Sequence, residues 1–202
     1  MTKDKLKKGE TTRMAIEEAA LSLFMQYGFH ATSMRQISER AQLALGGIYN
    51  HFSSKEEIFA ALIMDNHPYK QIVPLILAAE GDTAEELFHS AAQAIVSELG
   101  KRPDFLKLMF IEVVEFNGKH INLLIGEIAP QILPVFERVV KIRKNLRHSH
   151  PVILLRSFLG LFFSYYITDI LLSATVLAKL MPKDSFEQFV DIYLHGIIKE
   201  PA

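Results

Sequence analysis

Apolar residues Ile16, Ala19, Ala20, Leu23, Phe24 and Tyr27 recur at intervals of three and four, the spacing that lines up side chains on one face of an α-helix. Gly28 follows and offers that helix its C-terminal stop. Ser33 and Gln36 fit a capping box for a short second helix reaching about Arg40, with Thr32 as the alternative cap. A turn over Ala41–Leu43 leads into a third short helix. The overlapping pairs Ser53/Glu56 and Ser54/Glu57 then mark the start of a fourth.

Beyond about residue 65 the pattern changes to longer, more apolar helices separated by breakers. Thr83 and Glu86 open one that stops near Gly100, and Pro103 suits the first turn of the next, which ends near Gly118. Pro130 and Pro134 interrupt or kink a third, Pro151 begins the apolar run Val152–Ala178, and Asp184 to Glu187 cap the last helix. Neither alternating strand patterning nor a repeat of fixed length occurs, so the chain reads as all-α. Pro68 and Pro74 blur the boundary between the halves. The expected organisation is a flexible basic arm over 1–9, a three-helix domain over 10–56, and a larger helical domain over 57–202.

Composition narrows this further. Half of the 202 residues are hydrophobic and none is cysteine, which removes disulfides, thiolate metal sites and cysteine nucleophiles, and suits a reducing compartment such as the cytoplasm. A net charge of -1 argues against a general polyanion coat. Lys3, Lys5, Lys7 and Lys8 nevertheless stand against a single Asp4 at the N-terminus, a plausible phosphate-contacting arm or simply a solvated end. MTKDKLKKGE has no apolar h-region, so no signal peptide is expected. Arg156 and Asp169 divide Val152–Ala178 into uncharged runs shorter than the roughly 18 residues of a span. That segment is expected as a deeply buried helix, with no membrane partner.

A short helix, a tight turn and a second short helix is helix-turn-helix geometry, whose second helix enters the major groove. Gly46 and Gly47 fall inside that second helix, where each costs about 0.5–1 kcal/mol relative to Ala. Close approach of a bare backbone to base edges would justify them. Tyr49, Asn50 and His51 can donate to phosphate, and Lys55 adds a charge-assisted contact at a helix N-terminus.

The run Tyr27–Leu62, YGFHATSMRQISERAQLALGGIYNHFSSKEEIFAAL, resembles the DNA-binding domain of TetR-type transcriptional regulators, through Gly28-Phe29, Thr32, Ile37, Ile48-Tyr49, Phe52 and Ser54-Lys55-Glu56. The resemblance implies that Arg35 is a base reader and that Leu45, Gly46 and Tyr49 read bases or thymine methyls. It likewise implies that Thr32, Gly47, His51 and Lys55 contact phosphate, with Ser33, Ala44 and Asn50 on the same DNA-binding surface. The sequence departs from the family's habit at Gln42, Ala44 and Leu45, where Gly, Ser and a polar residue are frequent. Loss of the Ser cap is expected to remove about 1 kcal/mol of helix stability.

The resemblance further implies a ligand-binding second domain and a homodimer formed through the last two helices. Val152–Ala178, with Ile192, Tyr193, Ile197 and Ile198 of the final helix, offers the apolar surface for it. Glu112 and Glu115 lie among Met109, Phe110, Val113, Val114 and Phe116, and Asp169 interrupts the long apolar helix. Aromatic and Met walls with a few charges suit a small-molecule site, and such acids would favour a lipophilic cation. The candidate ligand set is Met109, Glu112, Val113, Phe116, Phe162, Tyr166 and Asp169. Each acid could equally face solvent or pair with a Lys, and the apolar stripe could be core.

No metal or cofactor is expected. Glu86 and His89 resemble half of a di-iron site, but His195 is preceded at that spacing by Ile192. His148 and His150 lie beside Arg143, Lys144 and Arg147 and read as a basic connector. The sequence therefore reads as a ligand-responsive DNA-binding regulator, most simply a dimeric repressor released by an apolar effector from a palindromic double-stranded operator. An activator or constitutive DNA binder is an alternative reading. A helical-bundle enzyme or metal-binding protein is the rival from another class, opposed by the lack of a nucleophile, base and orienter arrangement.

Overall fold

A computed structural model describes residues 3–78, 83–142, 146 and 150–197. The expected connector at Arg143, Lys144, Arg147 and His148, together with Ile198, lies outside these residues. The described elements are α1 (Lys3–Tyr27), α2 (Met34–Arg40), α3 (Leu45–Ile48), α4 (Lys55–Asn66), α5 (Tyr69–Ala78), α6 (Ala84–Gly100), α7 (Pro103–Phe116), α8 (Ile121–Ile142), α9 (Pro151–Ser173), a 3₁₀ turn (Val176–Leu180) and α10 (Ser185–Ile197). The fold is all-α, with no strand among the described residues.

Two compact units result: Met1–Pro68 with Lys101–Ile128, and Tyr69–Gly100 with Ala129–Ala202. The boundary differs from the one expected at residues 56 and 57. α4 stays with α1–α3, and α7 with the start of α8 joins them. Ring contacts account for this, because Phe116 of α7 lies 4.7 Å from Phe29 and 4.8 Å from Phe59 of α4. The arm expected over 1–9 also differs, since α1 begins at Lys3. No breaker precedes Gly9, and the Lys and Leu residues there are good helix formers.

In the first unit, α1 packs on α2, α4 and α7, burying Ile16, Ala20 and Phe24 together with Ile58, Phe59 and Leu62 of α4. Gly28 ends α1 with φ of 82°, a left-handed conformation that Gly adopts without a Cβ clash. α4 ends at Asn66, and the extended backbone of His67 after it suits a residue preceding proline.

In the second unit, Leu87, Phe88, Ala91 and Ile95 of α6 share one core with Leu154, Phe158 and Phe162 of α9 and Phe186, Val190 and Leu194 of α10. Thr83 caps α6 by accepting the Glu86 N–H at 3.2 Å, while the Glu86 carboxylate accepts the Thr83 N–H at 3.1 Å. Pro130 and Pro134 lie inside α8 without ending it.

α9 is long and apolar enough by composition to cross a membrane, yet 17% of its most apolar window is buried, which corrects the expectation of a deeply buried helix. Leu154, Phe158 and Phe162 face the core, while Val152, Leu155, Leu159, Phe163 and Ile170 form an exposed stripe. The segment thus has one face in its own core and one uncovered.

Candidate nucleic-acid interface

The α2–α3 pair is held rigidly from below. Ile37 and Ile48 are fully buried, Phe52 is 1% exposed, and the Arg13 guanidinium lies 4.4 Å from the Phe52 ring centre. At the start of α2, Ser33 accepts the Gln36 N–H at 3.2 Å and the Gln36 side chain accepts the Ser33 N–H at 2.8 Å. The capping box is therefore formed at Ser33, not Thr32. Both orphan donors are satisfied.

The turn between the helices passes through Gln42, whose φ is 57°. The Leu43 N–H reaches the Ser38 carbonyl at 2.8 Å and closes it. A non-glycine residue in the left-handed region costs about 1–2 kcal/mol, which gives the departure from Gly at this position a structural meaning. Ala44 caps α3 without any side-chain hydrogen bond, as the loss of Ser implies.

Opposite this buried side lies an exposed surface made by Ser33, the N-cap of α2, and Arg35 within it, together with Ala44, Leu45, Gly46, Tyr49 and Asn50. Arg35 projects with its side chain 80% exposed and its Nε 3.0 Å from Glu39. α3 itself ends at Ile48; Tyr49, Asn50 and His51 continue it as tight turns, with the His51 N–H on the Ile48 carbonyl at 3.0 Å. A Cβ built on Gly46 meets nothing within 4 Å, and one on Gly47 meets Leu43 at 4.0 Å. Among the described residues nothing requires glycine at these two positions.

Two residues expected at phosphate turn inward. Thr32 is 2% exposed, and its hydroxyl donates to the Gly28 carbonyl at 2.9 Å. The Lys55 ammonium donates to the carbonyls of Phe29, His30 and Thr32 at 2.8, 3.2 and 2.8 Å and lies 4.5 Å from the Phe29 ring centre. All three of its donors are engaged. Burial lowers its pKa from the ordinary value, and the Glu115 carboxylate opposes that shift. Lys55 is thus a tie between α4 and the α1–α2 turn, a role hidden from sequence because its partners are backbone oxygens more than twenty positions away.

The N-terminal turn of α4 is strongly capped. Ser54 accepts the Glu57 N–H at 3.2 Å, and Glu57 accepts the Ser53 N–H at 2.7 Å, which with the Ser53 hydroxyl lowers the Glu57 pKa. Lys119 pairs with Glu56 and lowers its pKa chiefly through that hydrogen bond.

The candidate ligand residues are divided between the two units. Met109 is 8% exposed and Val113 64%, and Phe116 is stacked on Phe59. Phe162 sits in the second core. The half-buried Tyr166 hydroxyl donates to the Val96 carbonyl at 3.4 Å, and burial foremost pushes its pKa up to about 12. Glu112 is bonded to His120 and Glu115 pairs with His30. Two of the three acids read as facing a lipophilic cation therefore already have partners in the chain, whereas Asp169 is exposed on α9. His120 and Lys119 escaped the sequence reading because no local pattern distinguishes them.

A model of the bacterial regulatory proteins of the tetR family matches residues 16–62. The uncharacterised HTH-type transcriptional regulator YvkB of Bacillus subtilis strain 168 is 23% identical over 189 residues, covering 92% of this chain and 97% of YvkB. Among solved structures, NalD, the secondary repressor of the MexAB-OprM multidrug efflux pump in Pseudomonas aeruginosa, superposes with a TM-score of 0.67 at 19% identity, over 96% of this chain and 100% of NalD. The complex of SmeT with triclosan gives a TM-score of 0.61 at 21% identity, over 94% and 93% of the two chains; SmeT is the repressor of the Stenotrophomonas maltophilia efflux pump SmeDEF. Residues 16–62, which hold the α2–α3 pair, thus match the model of the tetR family of bacterial regulatory proteins, and the chain over nearly its whole length is similar to an HTH-type transcriptional regulator.

Proposed function

We propose that the protein is a homodimeric repressor that holds a palindromic operator in the cytoplasm and releases it when a small, largely apolar effector binds the second half. The observation that carries the reading is the exposed surface of Arg35, Leu45, Gly46, Tyr49 and Asn50 on a helix pair anchored by buried Ile37 and Ile48. On it, Arg35 reads guanine, Leu45 meets a thymine methyl, and Tyr49, Asn50 and His51 donate to phosphate. The exposed stripe of α9, with Ile192 of α10 72% exposed, is the surface two copies bury; an apolar face of this kind is rarely left in water. NalD and SmeT are repressors, and SmeT has been seen with triclosan. These relatives support the repressor and apolar-effector parts of the reading.

Effector binding favours a dimer in which the two recognition helices no longer match successive major grooves, about 34 Å apart. Duplexes selected by the protein from a random-sequence pool define the operator. An electrophoretic shift on that operator, titrated with lipophilic cations, anions and neutral compounds, tests the whole reading. Selection of no sequence would refute operator recognition; a selected palindrome released by no compound would favour the constitutive binder.

A further inference from the structure

The first unit contains a polar construction that base and phosphate contacts do not use. Glu112 of α7 is fully buried and His120, just before α8, is 4% exposed. The Glu112 carboxylate accepts the His120 backbone N–H at 2.7 Å, and its other oxygen lies 2.7 Å from the imidazole Nδ1. The chain can fold back this sharply because Asn117 and Gly118 both take positive φ, 52° and 78°, and the Gly118 N–H closes on the Glu112 carbonyl at 3.2 Å. On its far side, the His120 Nε2 faces a carboxylate oxygen of Glu56 on α4 at 3.6 Å. Lys119 pairs with the same oxygen. The imidazole ring is 4.7 Å from Phe116 and 5.9 Å from Phe59.

Stability alone does not call for this arrangement. A buried ionisable pair replaced by apolar side chains of similar volume is often neutral or stabilising, because the desolvation of both groups is avoided. What the polar pair adds is direction: short hydrogen bonds fix angles, whereas apolar burial is non-directional. Glu56 adjoins Lys55, which ties α4 to the α1–α2 turn. α8, whose start His120 fastens, continues into the second unit.

We infer that Glu112, His120 and Glu56 form a positioning relay that fixes α4, and through it the α2–α3 pair, against the α7–α8 turn, so that the reading surface is presented in one orientation. The inference rests on the operator-binding reading above. The relay touches no nucleic acid itself. Its contribution is to operator discrimination, since a tilted α3 loses base contacts while phosphate attraction persists.

Two variants test it. His120→Asn keeps a donor near the Nδ1 position for Glu112 but withdraws the group facing Glu56, and Glu112→Met with His120→Leu replaces the buried pair by apolar volume. Each is melted by circular dichroism, then measured on the selected operator and on an unrelated duplex below its melting temperature. The relay predicts cooperative melting, operator affinity lower by about tenfold, the equivalent of one lost base contact, and unchanged binding to the unrelated duplex. Wild-type operator affinity in either folded variant would overturn the relay, and so would an equal loss on both duplexes. If the double variant fails to fold, His120→Asn alone decides by the same criteria. Should the wild type itself select no operator, the functional reading fails before the relay is tested.

Discussion

Lys55→Met separates two roles for one ammonium group. The substitution keeps the length of the stem and its packing over Phe29, and removes the charge and three N–H donors. Two of the lost bonds, both 2.8 Å long, are partly buried and the third, at 3.2 Å, is exposed. Hydrogen bonds to charged groups contribute about 1.5–3 kcal/mol each, but burial lowers the Lys55 pKa, so desolvation offsets part of that gain and the freed carbonyls can rehydrate. A net loss of about 2 kcal/mol follows, equivalent to a fall of about 4–8 °C in melting temperature for a chain of this size. Thermal melts of wild type, Lys55→Met and Lys55→Arg give the stability. Binding to a non-specific duplex across a salt series gives the number of phosphates neutralised. The tie predicts lower stability for Lys55→Met with an unchanged salt slope. A variant of wild-type stability whose slope falls by about one unit would refute it and restore Lys55 as a phosphate anchor.

Further outcomes can be checked independently. Gly46→Ala, with open space at the added Cβ, should stabilise the free protein by up to about 1 kcal/mol yet weaken operator binding; a variant that gains stability and binds equally well would show that close backbone approach is not needed. Gln42→Gly should raise stability by about 0.5–1 kcal/mol by relieving the left-handed φ of 57°, and an unchanged urea midpoint would contradict that. Phe163→Glu, placed in the exposed stripe of α9, should convert a dimer to a monomer in sedimentation and abolish tight operator binding; a persisting dimer would place the interface elsewhere. Burial foremost, with Arg102 second, lowers the His67 pKa from 6.5 to about 4. The unfolded chain therefore takes up this proton at higher pH than the folded one, so stability is full above about 6.5 and falls by about 3 kcal/mol as pH drops towards 4. His67→Gln should flatten that part of the profile, and an unaltered slope would exclude His67 as its source.

The sequence alone determined the helical class, the α1–α3 pattern and the capping residues, because these depend on spacing and on hydrogen bonds between near neighbours. Ile16 to Tyr27, the Ser33–Gln36 box, Gly28 and Pro103 all carry their structural meaning within a few positions. The family resemblance was legible for the same reason, lying wholly in the local run Tyr27–Leu62. Only tertiary structure decided where the units divide, since Phe116 joins Phe29 and Phe59 across long stretches of chain. It also turned Lys55 inward and gave Glu112 to His120, contacts whose partners stand 23 and 8 residues away. Period shows which face of a helix is apolar but not what that face meets, and composition shows that a charge is present but not which oxygen or nitrogen lies beside it. α9 shows the limit most plainly: its apolar residues run nearly all round the helix in sequence, and only packing separates the stripe buried on α10 and its neighbours from the stripe left exposed.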